Sequence, residues 1–65
     1  MGLTLQKTYW VEVDGGSVNY QVYGKLVSKG VRFRGIIYWA FYGPAMIHLV
    51  DPDDIVRADL APGVY

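Results

Sequence analysis

Apolar and polar positions alternate with a period of two along much of this chain, and short breaks rich in glycine or aspartate divide it into runs of strand length. That period places alternate side chains on opposite faces of an extended backbone. In the first run, Leu3 to Val13, Tyr9, Val11 and Val13 alternate with Trp10 and Glu12. Asp14-Gly15-Gly16-Ser17 then reads as a turn, since glycine reaches positive φ at little steric cost. The second run, Val18 to Val27, sets Val18, Tyr20 and Val22 against Asn19, Gln21 and Tyr23, with Gly24 as a candidate bulge. Ser28-Lys29-Gly30 reads as the next turn.

The third run, Val31 to Tyr42, begins with Val31 and Phe33 alternating with Arg32 and Arg34. After Gly35 the alternation disappears. Ile36-Ile37-Tyr38-Trp39-Ala40-Phe41-Tyr42 is apolar or aromatic throughout, and such a strand requires cover on both faces. Gly43-Pro44 ends it, and Ala45 to Val50 reads as a fourth strand. Asp51-Pro52-Asp53-Asp54 has the order of a helix start: a capping aspartate, proline at the first helical position, and an acidic first turn. Ile55 to Leu60 is too short for more than two helical turns, so a single turn leading into a closing strand fits, as in SH3-like barrels. Ala61-Pro62-Gly63 ends that element, leaving Val64-Tyr65 as a loose tail. The expected architecture is one all-β domain over residues 1–65. It is a small four- to five-stranded antiparallel meander or SH3-like barrel with a short helical turn near residues 52–56.

Composition sharpens this picture. A chain of 65 residues buries only ~60% of the surface that its unfolded form exposes, so its core is marginal. Small scaffolds commonly gain stability from disulfides, metals or partner subunits. There is no cysteine and one histidine, His48, so disulfides, thiolate sites and His-rich metal sites are excluded. Association is the remaining common aid. Hydrophobic residues make up 52% and charged residues 18% of the chain, below the ~25% charged share of ordinary domains. Gly35 to Val50 carries no Asp, Glu, Lys or Arg. Gly43-Pro44, His48 and the β-branched and aromatic content favour strands there over a spanning helix, which needs ~20 apolar residues. No membrane span is expected. Met1 to Leu5 lacks both a charged lead and a long apolar run, so no signal peptide is expected and the cytoplasm is the default location, with a viral particle as the other.

Candidate chemistry is sparse. Asp51, Asp53 and Asp54 form the densest carboxylate cluster, but they lack the order of a calcium loop, and helix capping accounts for them. His48 sits between Ile47 and Leu49 with no nucleophile adjacent in sequence; Ser17, Ser28 and Asp14 would have to reach it from elsewhere in the fold. Asp14-Gly15-Gly16 lacks the helix and lysine of a phosphate loop. Lys25, Lys29, Arg32 and Arg34 are the candidates for contact with nucleic acid or an acidic partner. The string Lys29 to Gly35 shares a basic-glycine-aromatic order with strands of RNA-recognition and cold-shock domains, where aromatics stack on bases, but the match is too partial to make a family resemblance. Arg32 and Arg34 are expected to share one strand face with Phe33 on the other, so basic and aromatic groups would not form one platform. Net charge is zero, which also lowers the expectation of nucleic-acid binding.

No cofactor is implied and no catalytic set stands out. The expected function is a non-enzymatic binding or assembly module acting through protein–protein contacts. It would be a homo-oligomer or a small subunit of a larger complex, such as one from a phage or mobile element. The residues expected at the interface are Trp10, Ile36, Tyr38, Trp39, Phe41 and Tyr42, because a single small sheet cannot cover both sides of the Ile36–Tyr42 strand. The chain's own tail folding back is the competing way to cover it. One alternative is a nucleic-acid-binding small barrel. The other is an oligomeric pore enzyme, by analogy with the plasmid-type dihydrofolate reductases, with Ala45 to Val50 lining the pore and His48 or Tyr38 inside it.

Overall fold

A computed structural model describes residues 2–62. Its strands are β1 (Thr8–Val13), β2 (Tyr20–Phe33), β3 (Ile36–Tyr42), β4 (Ile47–Val50) and β5 (Ile55–Leu60), with a 3-10 turn at Pro52–Asp54 between the last two. They form one antiparallel sheet in the order β4-β3-β2-β1-β5. The first four strands make the expected meander, and β5 returns to the far side of β1. A short helical turn leads into that last strand as expected, but β4 and β5 remain the two edges of the sheet. The architecture is therefore an open, bent sheet and not a closed barrel. Gly63 and the tail Val64-Tyr65 lie outside the described residues.

The helical turn forms for the reason read from its sequence. Asp51 is the cap, its side chain accepts from the Asp53 N–H at 3.0 Å, and Pro52 occupies the first position. The break expected at Ser28-Lys29-Gly30 is not a turn. β2 runs through it, and the register with β3 shifts between Leu26 and Ser28 and again between Ser28 and Val31. These irregularities lie beyond Gly24, which pairs in register with Tyr9. Gly24 is buried because the β3–β4 turn passes close to it: an added Cβ would lie 3.0 Å from the carbonyl carbon and oxygen of Tyr42. The reversal falls instead at Arg34-Gly35, with φ of 52° and 79°, joining the Phe33↔Ile36 pair. Positive φ at both central residues is the signature of a two-residue hairpin loop.

The irregular stretch lets one long strand serve both halves of the sheet. Tyr20 to Lys25 pair with β1, and Lys25 to Phe33 pair with β3. The sheet curls around a single core of Tyr9, Val11, Val13, Val22, Leu26, Phe41 and Val50, with Leu3, Trp39, Ile55 and Ala58 packed against it. Directly paired residues of antiparallel strands share a face. The pairs Leu26↔Phe41, Trp39↔Val50, Val11↔Val22 and Val11↔Ala58 therefore define the inner, concave face.

Candidate protein-interaction face

The same register defines the outer face. On β3 it carries Ile36, Tyr38, Ala40 and Tyr42; β4 adds Leu49 opposite Ala40 and Ile47 opposite Tyr42; β2 adds Phe33 opposite Ile36 and Val31 opposite Tyr38. Ala40 is small and buried and forms the floor. Around it, Phe33 is 55% exposed, Ile36 42%, Tyr42 51%, Ile47 53% and Leu49 47%. Apolar side chains thus line most of this face across three strands, with Ser28 opposite Ala40 as a polar exception. Lys25, paired with Tyr42, stands at one end. At the other end Ile36 borders an open cleft of about 430 Å³ that is also lined by Gly35, Ile37, Asp51, Pro52 and Asp53.

The residues expected at an interface divide among three places. Ile36, Tyr38 and Tyr42 share this outer face. Phe41 does not: it is wholly buried in the chain's own core, because its partners Leu26 and His48 lie on the inner side of the sheet. Trp39 is also on the inner side, half-buried, with the Lys29 Nζ 4.7 Å from its ring centroid. Trp10 is on the outer face but in the other half of the sheet. Its ring stacks at a tilt on Tyr23, centroids 4.7 Å apart, and the Tyr23 hydroxyl donates to the Pro62 carbonyl at 2.8 Å. The Lys25–Tyr42 pair is where the β2–β3 register begins, so Trp10 and Tyr23 stand beyond the end of β3. Phe33, Ile47 and Leu49 complete the face and were not anticipated. Their signal was the alternation Ile47-His48-Leu49, which sets the two aliphatics on one side of a strand.

The basic side chains do not converge. Lys25 is on the outer face, Lys29 is over Trp39 on the inner face, and Arg32 pairs with Ile37 on the inner face. Arg34 occupies the hairpin loop, its guanidinium carbon 5.2 Å from the Phe33 ring centroid. Arg32 and Arg34 therefore do not share a strand face as expected, because the chain reverses at Arg34.

The candidate catalytic groups are likewise separated. His48 faces inward, in the same cross-strand pair as Phe41 and near Gly43. Asp14 accepts from the Gly16 N–H at 2.9 Å and Ser28 from the Gly30 N–H at 3.2 Å, so each serves its own bend in the chain. Among the described residues, no group of three His, Cys, Asp or Glu side chains is placed to hold a metal ion, and no helix is long and apolar enough to cross a membrane.

Compared with known protein families, with curated proteins and with solved structures, the chain matches none.

Proposed function

We propose that this chain is a non-enzymatic binding or assembly module that works through protein–protein contacts, as a homo-oligomer or as a small subunit of a larger complex. One observation carries the reading: Ile36, Tyr42, Ile47 and Leu49 each keep about half of their surface exposed on one side of neighbouring strands. An antiparallel sheet with one solvated face normally alternates apolar-in with polar-out. β3 and β4 break that rule on the outer side, where polar residues would leave the core intact. Contiguous apolar surface of this kind is what a protein partner covers. The basic groups are dispersed, so the reading rests on apolar area and not on charge.

The two edges of the sheet support the same assignment. The β5 edge carries the exposed pair Arg57–Asp59 at 3.0 Å, the type of charged edge that discourages association. β4 contains no Asp, Glu, Lys or Arg. A photo-crosslinking side chain at position 49, compared with one at the exposed Val56 of β5, tests the reading in cells. Protein adducts are expected from position 49 and not from position 56. Adducts from position 56 alone, or from neither, would overturn it.

A further inference from the structure

We infer that the occupant of the outer β3–β4 face is a second copy of this chain, packed face to face about a two-fold axis so that Ile36, Tyr42, Ile47 and Leu49 of each copy are buried against the other. This rests on the binding-module reading above and names its partner.

Area is the first argument. Phe33, Ile36, Tyr42, Ile47 and Leu49 are each 42–55% exposed. At ~150–250 Å² for a large side chain, they offer roughly 370–620 Å² of apolar surface. A standard interface buries about 800 Å² per partner, of which ~56–65% is apolar, or roughly 450–520 Å². The face therefore supplies about the apolar area that one side of a stable pair requires, within a molecule whose whole surface is 4373 Å².

Shape is the second argument. A two-fold interface presents the same patch from both subunits, so a broad face of interleaved large and small side chains suits it. Ala40 leaves a shallow floor between Tyr38, Tyr42 and Leu49 that a partner's aliphatic side chain can enter. Edge-to-edge pairing is the weaker alternative for two copies, because β4 is only four residues long.

Charge is the third. Lys25 lies at the Tyr42 end of the face, while Asp51 and Asp53 lie beyond Ile36 at the other, partly offset by Arg34 in the hairpin loop. A two-fold axis running across the strands reverses the second copy and sets each Lys25 toward the partner's acidic end. This specifies orientation more than strength.

Sedimentation equilibrium and light scattering over a concentration series provide the test. The wild-type chain is expected at twice its 7.3 kDa mass in the tens-of-micromolar range. Leu49→Glu should raise the dissociation constant by more than ~100-fold, since it buries like charges against each other at the axis. Leu60→Glu, on the exposed end of β5, should leave the mass unchanged. Lys25→Glu should weaken the pair and Asp53→Lys added to it should restore it. Circular dichroism of each variant separates loss of association from loss of fold, and Ile47→Lys repeats the test at a second position.

A wild-type chain that stays monomeric to millimolar concentration overturns the second copy. Binding of a hydrophobic dye then decides the broader reading. A dye signal removed by Leu49→Glu leaves the face as a site for a different protein, and no signal sinks the binding-module reading as well. A dimer that survives Leu49→Glu and Ile47→Lys but is broken by Trp10→Glu overturns the assigned face while assembly itself stands.

Discussion

Phe41 and Leu49 occupy neighbouring strands of one hairpin on opposite sides of the sheet, and truncating each to alanine should have sharply different costs. Phe41 is 0% exposed within the core, whereas Leu49 is 47% exposed on the outer face. A 65-residue chain has a total stability of about 3–10 kcal/mol. Phe41→Ala removes a buried ring and leaves a cavity, at a cost of about 3–5 kcal/mol. That is enough to unfold much of the population. Full burial of a leucine is worth about 1.5–3 kcal/mol, so losing the half-buried Leu49 side chain should cost about 1 kcal/mol in the isolated chain. Urea titration followed by circular dichroism, at protein concentrations low enough to suppress association, measures both. The same titration at high concentration should widen the loss for Leu49→Ala, because a bound partner adds stability by mass action. It should leave the extra loss for Phe41→Ala unchanged. Equal costs for the two variants at low concentration would refute the assignment of Phe41 to the inner face and Leu49 to the outer one.

Three further substitutions probe the local arguments. Gly24→Ala would place a methyl 3.0 Å from the backbone of Tyr42, and a thermal melt should register about 1–3 kcal/mol of overpacking; an unchanged melting temperature would mean that the β3–β4 turn does not pass so near. Asp51→Ala removes the cap on the Asp53 N–H and should cost about 1 kcal/mol, while Asp51→Asn should recover most of it; equal losses in both variants would argue against capping. Arg34→Asn should stabilise the chain by roughly 0.5 kcal/mol, since asparagine tolerates the positive φ of this loop position better than arginine; a loss in its denaturation midpoint would count against the two-residue hairpin.

Most of the strands and the helical turn could be read from the sequence because their signals were local. Tyr9-Trp10-Val11-Glu12-Val13 alternates, and Asp51-Pro52 caps whatever follows it. The turn expected at Ser28-Lys29-Gly30 failed because glycine has two uses. Of the two glycines, only Gly35 adopts a positive φ; the segment around Gly30 is absorbed into β2, where the register shifts. Phe33-Arg34-Gly35-Ile36 carried the true reversal, a two-residue loop between apolar residues, but Val31-Arg32-Phe33-Arg34 looked like an uninterrupted alternating strand. The interface set was half-legible for a related reason. Ile36 to Tyr42 is apolar at every position, so the strand has no contrast to say which side turns inward. That choice is made by its neighbours: Leu26 and Val50 face the core, and their pairing draws Phe41 and Trp39 in with them.

The unbroken apolar run therefore has two separate causes. Trp39 and Phe41 share the inner face, where Phe41 is fully buried and Trp39 packs against the core, and folding alone requires both to be apolar, whereas Ile37 on the same side is 45% exposed. Ile36 and Tyr42 meet Phe33, Leu49 and Ile47 on a side that the described residues leave open. The chain's last strand does not remedy this, because β5 pairs with β1 at the opposite edge from β4. The tail Val64-Tyr65, the competing way to cover this face, lies outside the described residues, while Ile55 and Ala58 of β5 pack against the core. Burial in the core thus accounts for Trp39 and Phe41 and not for the exposed apolar residues of the outer side. On the proposed reading the apolar residues on the open side are there for a contact outside the chain, so association, and not a pocket or a charged patch, is the property to test first.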